Sequence, residues 1–276
     1  MQIIVDQLNK LRGWKVNSLE TPELRWFGKR KKMEVLLGSE LVSIDRRAKY
    51  IIFTFSKGTD NFYIINHLSI SGNWLIRDPR AKSSIHTRLT FSFSQDSFTQ
   101  ATKAIDFVDA RHFGRLEFYN STDFWSEKIQ SKLSNLGPDT LNEIITSEIL
   151  NQRIHNFVEN DPRWEIKSLL MEQAFLAGIG NIYASEICFL AGINPYRKAS
   201  TLTQDEIKQL EEAIPVVIKT AYKNNGSTIR SSKTTKTNWI EHMIYGIKYC
   251  RLCNSPVSRG PQSNRTTYWC PKCQVL

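Results

Sequence analysis

The chain has 276 residues, 41% of them hydrophobic, and its 37 lysines and arginines against 27 acidic residues leave a formal net charge of +10. That length can bury two cores and points to two domains, while the excess of positive charge suits a polyanionic partner. No apolar run is long enough to span a bilayer, and the first twenty residues lack the basic, apolar and small-residue segments of a signal peptide; the chain reads as soluble and intracellular.

A helix with Ile4, Leu8 and Leu11 on one face is predicted first. Short β-rich runs follow at Leu41 to Ile44, Tyr50 to Phe55, Phe62 to Leu68, Trp74 to Ile76, Thr87 to Ser94, Ala104 to Val108 and Arg115 to Tyr119. Turn residues such as Lys57-Gly58-Thr59-Asp60 and Ser71-Gly72-Asn73 punctuate them, as in an antiparallel sandwich or barrel. Near residue 130 the period becomes helical, with segments at Thr146 to Asn156, Ile166 to Leu176, Asn181 to Ala191 and Thr203 to Lys223. The last opens with Thr203 and Glu206 at capping-box spacing. A polar Ser/Thr/Lys/Asn stretch, Asn224 to Asn238, reads as mobile and long enough to be functional. No internal repeat is present.

Between two of the helices lies Ala177-Gly-Ile-Gly-Asn-Ile-Tyr-Ala-Ser-Glu186. Gly178 and Gly180 allow a tight turn and close approach of a partner, and the helix that follows offers amide donors to a phosphate. Asn181 sits where it either caps that helix or holds a phosphate. Read alone, this is more readily an ordinary helix-turn-helix corner.

The last 27 residues carry the sharpest chemistry. Cys250-Arg-Leu-Cys253, sixteen intervening residues and Cys270-Pro-Lys-Cys273 have the spacing of a Cys₄ zinc ribbon, in which two knuckles present four thiolates to one structural Zn²⁺. Arg259, Arg265, Tyr268 and Trp269 make the intervening hairpin both basic and aromatic, as in a nucleic-acid-contacting finger; a ribbon that only staples the tail is the alternative. The fifth cysteine, Cys188, falls in an apolar helical stretch and is expected to be core.

Together these strings resemble the formamidopyrimidine-DNA glycosylase and endonuclease VIII family of bifunctional DNA glycosylase/AP lyases. The landmarks appear in order over nearly the whole chain: Arg46-Arg-Ala-Lys-Tyr50, His67-Leu-Ser-Ile-Ser-Gly72, Asp109-Ala-Arg-His-Phe-Gly114, Leu136-Gly-Pro-Asp139, then Ile166 to Gln173 with Ala177 to Glu186 and Ala191 to Pro195, Ile244-Tyr-Gly246, and the four cysteines. The resemblance implies an α+β protein with three parts. Residues 1–130 would form an antiparallel β-sandwich of the catalytic type, 131–240 a helical helix-two-turn-helix DNA-binding domain, and 241–276 the zinc ribbon, with a DNA-binding cleft between the two main domains. It implies base-excision repair of double-stranded DNA bearing oxidised bases or abasic sites, by an intracellular monomer, in the cytoplasm or nucleoid if the cell is bacterial.

Residue by residue, the resemblance gives Lys49 a catalytic role at the phosphate near the lesion. Ile70, Arg111 and Phe113 fall at the void-filling positions that occupy the duplex once a damaged nucleotide is extruded; Ile70 stands where methionine is common. Lys167, Asn181 and Arg265 match positions that grip flanking phosphates. Glu186 matches a charged position on the second helix of the element, and simple capping or a salt bridge is the preferred reading for it.

The start of the chain departs from the family. Members use an N-terminal proline followed by glutamate: an unprotonated secondary amine attacks C1′ of the deoxyribose and forms a Schiff base that acidifies the C2′ proton for β-elimination. This chain opens Met1-Gln-Ile-Ile-Val-Asp. Aligning Gly13 without gaps places Met1 six residues beyond the nucleophile, about 9 Å along a helix. Either the chain begins at an internal methionine of a longer enzyme, or it is a catalytically inactive binder of damaged DNA; in both cases little glycosylase activity is expected of the polypeptide as written. A third reading is a zinc-ribbon protein of nucleic-acid assembly, which has no need of the Arg111-His-Phe113 wedge.

Overall fold

Ile51, Phe53 and Phe55 point into the core from alternate positions of Tyr50–Lys57 while their neighbours are half-exposed, the period-two signature of a strand covered on one face. A computed structural model of the protein, describing residues 1–22, 31–95, 100–124, 127–226 and 242–276, builds its first compact unit, Met1–Leu133, around eight strands. They are β1 (Lys15–Glu20), β2 (Glu40–Arg47), β3 (Tyr50–Lys57), β4 (Asp60–His67), β5 (Gly72–Arg77), β6 (Thr87–Ser94), β7 (Lys103–Asp109) and β8 (Arg115–Asn120).

The spatial order is β5-β7-β6-β1-β2-β3-β4-β8, with antiparallel neighbours throughout. β1 and β2 share only the pair Lys15 and Glu40, so the sheet folds there into two four-stranded layers. Ring contacts across the fold make this explicit. Phe53 of β3 lies 5.0 Å from Trp74 of β5, and Phe55 lies 6.0 Å from Phe91 of β6, although β3 borders neither strand. Each such ring buried between layers contributes about 1.5–3 kcal/mol.

All seven predicted strands are present: Thr87–Ser94 has the predicted bounds, the run predicted from Phe62 to Leu68 begins at Asp60 and stops at His67, and the other five are extended at one or both ends. β1 had no reading in the sequence because its register shifts between Val16 and Ser18, so the inward residues Val16 and Leu19 are three apart instead of two. The first helix, α1 (Gln2–Leu8), buries Val5 and Leu8, whereas Ile4 is only half-buried; the core face is rotated from the predicted one, and Leu11 is buried from a following 3₁₀ turn. Two short helices, α2 (Ser121–Phe124) and α3 (Glu127–Ser134), follow the last strand.

The second unit, Ser134–Leu276, contains α4 (Ser147–Asn160), α5 (Ile166–Met171), α6 (Asn181–Leu190) and α7 (Gln204–Lys223). Thr146 caps α4, and the capping box of Thr203 and Glu206 is formed at α7. The helix predicted to reach Leu176 stops at Met171. Gln173 donates to the carbonyls of Met171 and Ile179 and accepts from the Gly178 N–H, and Glu172 accepts from the Ala174 N–H, so side chains replace the helical ladder there. Gly178, at φ +103°, completes the turn into α6.

The ribbon hairpin pairs β9 (Ser258–Gln262) with β10 (Arg265–Trp269), and its two-residue turn has Ser263 and Asn264 both left-handed, at φ 47° and 57°. Of the polar stretch Asn224 to Asn238, residues 227–238 lie outside the described residues. Among the described residues no helix is long and apolar enough to cross a membrane.

Candidate nucleic-acid interface

In the first unit, the ends of β4, β5, β7 and β8 gather the residues assigned to void filling. Ser71 donates its hydroxyl to the buried Asp109 carboxylate and accepts the Arg111 N–H at 3.1 Å. Asp109 also accepts the Gly114 N–H at 2.7 Å. One carboxylate therefore joins the turn bearing Ile70 to the loop bearing Arg111 and Phe113. The Arg111 guanidinium stands 5.1 Å from the Phe113 ring centre, a cation–π pairing. Ile70 is 58% and Phe113 50% exposed, and large apolar side chains held outward by a buried polar latch mark an interaction surface. Gly114 has no alternative: a Cβ there would lie 2.6 Å from Phe107 Cζ and 2.9 Å from Asp109 Oδ2.

Lys49 occupies the two-residue turn between β2 and β3, after Ala48 at φ 54°. It is half-buried and electrostatically close to His67, at the end of β4. The His67 imidazole is held below its ordinary pKa by burial first and then by Lys49, Arg115 and Lys132.

In the second unit, Lys167 is wholly buried and its Nζ lies 2.7 Å from Asn181 Oδ1. Burial lowers its pKa to about 8, with Arg265 adding to the fall and Cys188 and Glu165 opposing it. Asn181 Nδ2 donates to Tyr245 Oη at 3.2 Å and to the Thr266 carbonyl at 3.0 Å. Lys167 thus acts beneath the surface, on Asn181, while Arg265 is exposed at the start of β10 beside Thr266. The N-cap of α6 is Gly180, so Asn181 does not cap the helix; its side chain is committed to this network instead.

Glu186 is largely buried and its carboxylate accepts the N–H groups of Met243, Ile244 and Tyr245 at 2.9, 3.2 and 2.8 Å, with His242 Nδ1 at 3.8 Å. It therefore anchors a separate segment of chain, which a cap or a lone salt bridge would not do. Tyr245 is also braced by Tyr268 of the ribbon, ring centres 4.8 Å apart.

The Sγ atoms of Cys250, Cys253, Cys270 and Cys273 lie within 4.8 Å of one another, a set able to hold a metal ion. Ser255, through its hydroxyl and N–H, lowers the Cys253 pKa to about 6, and the neighbouring thiols help push Cys273 up to about 12, so a cation is what would let all four ionise together. Cys188 is core, as expected, and burial pushes its thiol up to about 12.

Residues 1–116 match the formamidopyrimidine-DNA glycosylase N-terminal domain and residues 136–233 the formamidopyrimidine-DNA glycosylase H2TH domain. The chain is 32% identical over 248 residues to the formamidopyrimidine-DNA glycosylase of Chloroflexus aggregans, covering 88% of this chain and 83% of that one. That of Gluconobacter oxydans is 31% identical over 265 residues, covering 93% and 90%. The chain belongs to the formamidopyrimidine-DNA glycosylase family. Its fold matches that of Lactococcus lactis Fpg solved with abasic-site DNA at a TM-score of 0.82 and 26% identity, over 100% of this chain and 98% of that one, and equally the L. lactis G226P variant solved with Fapy-dG DNA. It is thus a member of a DNA glycosylase family of base-excision repair.

Within this formamidopyrimidine-DNA glycosylase fold, three participants escaped residue-level reading. Tyr245, Ser71 and Asp109 each lie inside a landmark string, yet nothing in their spacing shows that Tyr245 meets Asn181 across 64 residues or that Ser71 meets Asp109 across 38.

Proposed function

We propose that the polypeptide binds double-stranded DNA at abasic sites and oxidised bases, with Ile70, Arg111 and Phe113 filling the space left by the extruded nucleotide. The latch of Ser71 and Asp109 carries this reading, because it presents two exposed apolar side chains and a guanidinium together from rigid strand ends. Unstacking a nucleotide costs a few kcal/mol, and a preformed wedge offsets part of it. Lys49, Asn181, Tyr245 and Arg265 supply phosphate contacts in this reading, with Lys167 setting the Asn181 amide.

Cys250, Cys253, Cys270 and Cys273 would hold one structural Zn²⁺. Tetrahedral Zn–S bonds of about 2.3 Å require sulfurs a little under 4 Å apart, and the Cys250–Cys273 and Cys253–Cys270 separations are 3.9 and 3.5 Å. The ion would supply folding energy to a hairpin with a small core of its own.

The binding reading is tested by comparing abasic with intact duplex. A preference for the abasic duplex that is lost in Phe113→Ala supports it; equal binding of both by the unaltered chain refutes it and favours an assembly role. Cutting is tested by borohydride trapping on abasic duplex, with the chain as written and with one extended by Met-Pro-Glu-Leu-Pro-Glu-Val. An adduct with the extended form alone assigns the nucleophile to the proline amine. No adduct with either, despite tight binding, assigns the protein to damage recognition without cleavage.

A further inference from the structure

The turn that carries Ile70 is tied to a histidine. Ser69 adopts φ 56°, a left-handed conformation that a residue with a side chain takes at a cost. Its N–H donates to His67 Nδ1 at 3.2 Å, and its hydroxyl lies 3.0 Å from the same nitrogen. An amide can only donate, so Nδ1 must be the acceptor and the neutral ring carries its proton on Nε2. Two residues on, the Gly72 N–H closes the turn on the Leu68 carbonyl at 2.9 Å. Between these two ties, Ile70 projects 58% exposed.

We infer that His67 is a positioning residue for void filling: its unprotonated Nδ1 pins Ser69 in the left-handed conformation and so holds Ile70 outward, and protonation of Nδ1 releases the turn. The inference rests on the reading of Ile70 as a void-filling residue. A protonated ring would set an N–H against the Ser69 N–H; the Ser69 hydroxyl oxygen can accept the ring proton, but the amide that Nδ1 had held loses its acceptor.

The surroundings favour the neutral ring. Lys49 approaches from the β2–β3 turn, Arg115 is the register partner of His67 on β8, and Lys132 comes from α3. Tyr50, the register partner on β3, presents its ring edge to the imidazole at 5.4 Å. The acid Glu117 is engaged by Lys132 at 3.0 Å and by Tyr119. The folded-state pKa therefore lies below the ordinary histidine value, so the tie is complete at neutral pH and is lost as pH falls through that lowered pKa.

Asparagine and glutamine separate the two ring nitrogens, since Asn Oδ1 falls where Nδ1 sits and the Gln amide falls near Nε2. The probe is a duplex with a tetrahydrofuran abasic analogue flanked by 2-aminopurine, whose fluorescence rises on unstacking. Unaltered protein should give a strong signal above the pH at which the His67 ring titrates in the free protein and a weak one below it; His67→Asn should be strong on both sides, and His67→Gln and His67→Ala weaker by about tenfold in affinity on both. His67→Gln tracking the unaltered protein while His67→Asn tracks His67→Ala would overturn the inference, as would a pH-independent signal from the unaltered protein. In the free protein, the Ser69 amide resonance should move with the His67 titration, and a Ser69 amide indifferent to it would also overturn the inference. If the unaltered protein does not distinguish abasic from intact duplex, the reading of the site fails, and the free-protein titration still decides the tie between His67 and Ser69.

Discussion

The Lys167 ammonium and the Asn181 amide form one unit: Nζ meets Oδ1 at 2.7 Å, which leaves Nδ2 a single direction, towards Tyr245 and the Thr266 carbonyl. A buried cation thereby orients a half-buried amide at the first residue of α6. The proton on Lys167 has consequences for both stability and binding.

With a folded-state pKa of about 8 against an ordinary 10.5, the folded protein releases this proton before the unfolded chain does. Unfolding free energy should therefore rise with pH between those values, because the unfolded state there binds more protons. The positive charge beneath Asn181 is present below about pH 8 and lost above it, so affinity for abasic duplex should decline as pH climbs through that point. Lys167→Met should weaken binding about tenfold at neutral pH and abolish both pH dependences. Fluorescence anisotropy and urea unfolding across this range measure them.

Gly114→Ala should destabilise the first unit by about 1–3 kcal/mol, since a Cβ there collides with the buried Phe107 ring and with Asp109. Ser71→Ala, which removes a donor from the buried Asp109 carboxylate, should cost about 1–3 kcal/mol. It should also reduce abasic preference, because Arg111 loses its tie to the Ile70 turn. Denaturant titration and competition binding separate the two effects.

Metal analysis of protein purified without added zinc should find one zinc per chain. Cys270→Ala, which removes a fully buried thiol of the cluster, should abolish retention of the metal and with it the order of the β9–β10 hairpin. Mass spectrometry under native conditions reads the first outcome and near-ultraviolet dichroism of Trp269 and Tyr268 the second.

Glu186→Gln leaves one side-chain acceptor where a carboxylate takes three N–H groups. Amide exchange at Met243, Ile244 and Tyr245 should accelerate about tenfold or more, while protection within α4 stays unchanged. Because Tyr245 reaches Asn181, duplex affinity should fall in parallel.

Local patterns were legible where the physics is local. Alternating apolar residues marked Tyr50–Lys57, Thr203 and Glu206 announced the start of α7, and two Cys-x-x-Cys pairs announced a metal-binding cluster. Reading failed where side chains override the local pattern. A bulge hid β1, and Gln173 and Glu172 ended α5 five residues before its apolar period did.

The sequence by itself determined the family, the α+β class and the four-cysteine cluster, because these rest on residue type at fixed spacing along the chain. Only the tertiary structure decided that Lys167 lies beneath Asn181, that Glu186 holds the chain at Tyr245 and that Ser71 is latched to Asp109. Each of these joins residues 14 to 59 positions apart through a buried or half-buried hydrogen bond. Such bonds depend on which polar groups the folded core removes from water, and spacing along a chain does not encode that.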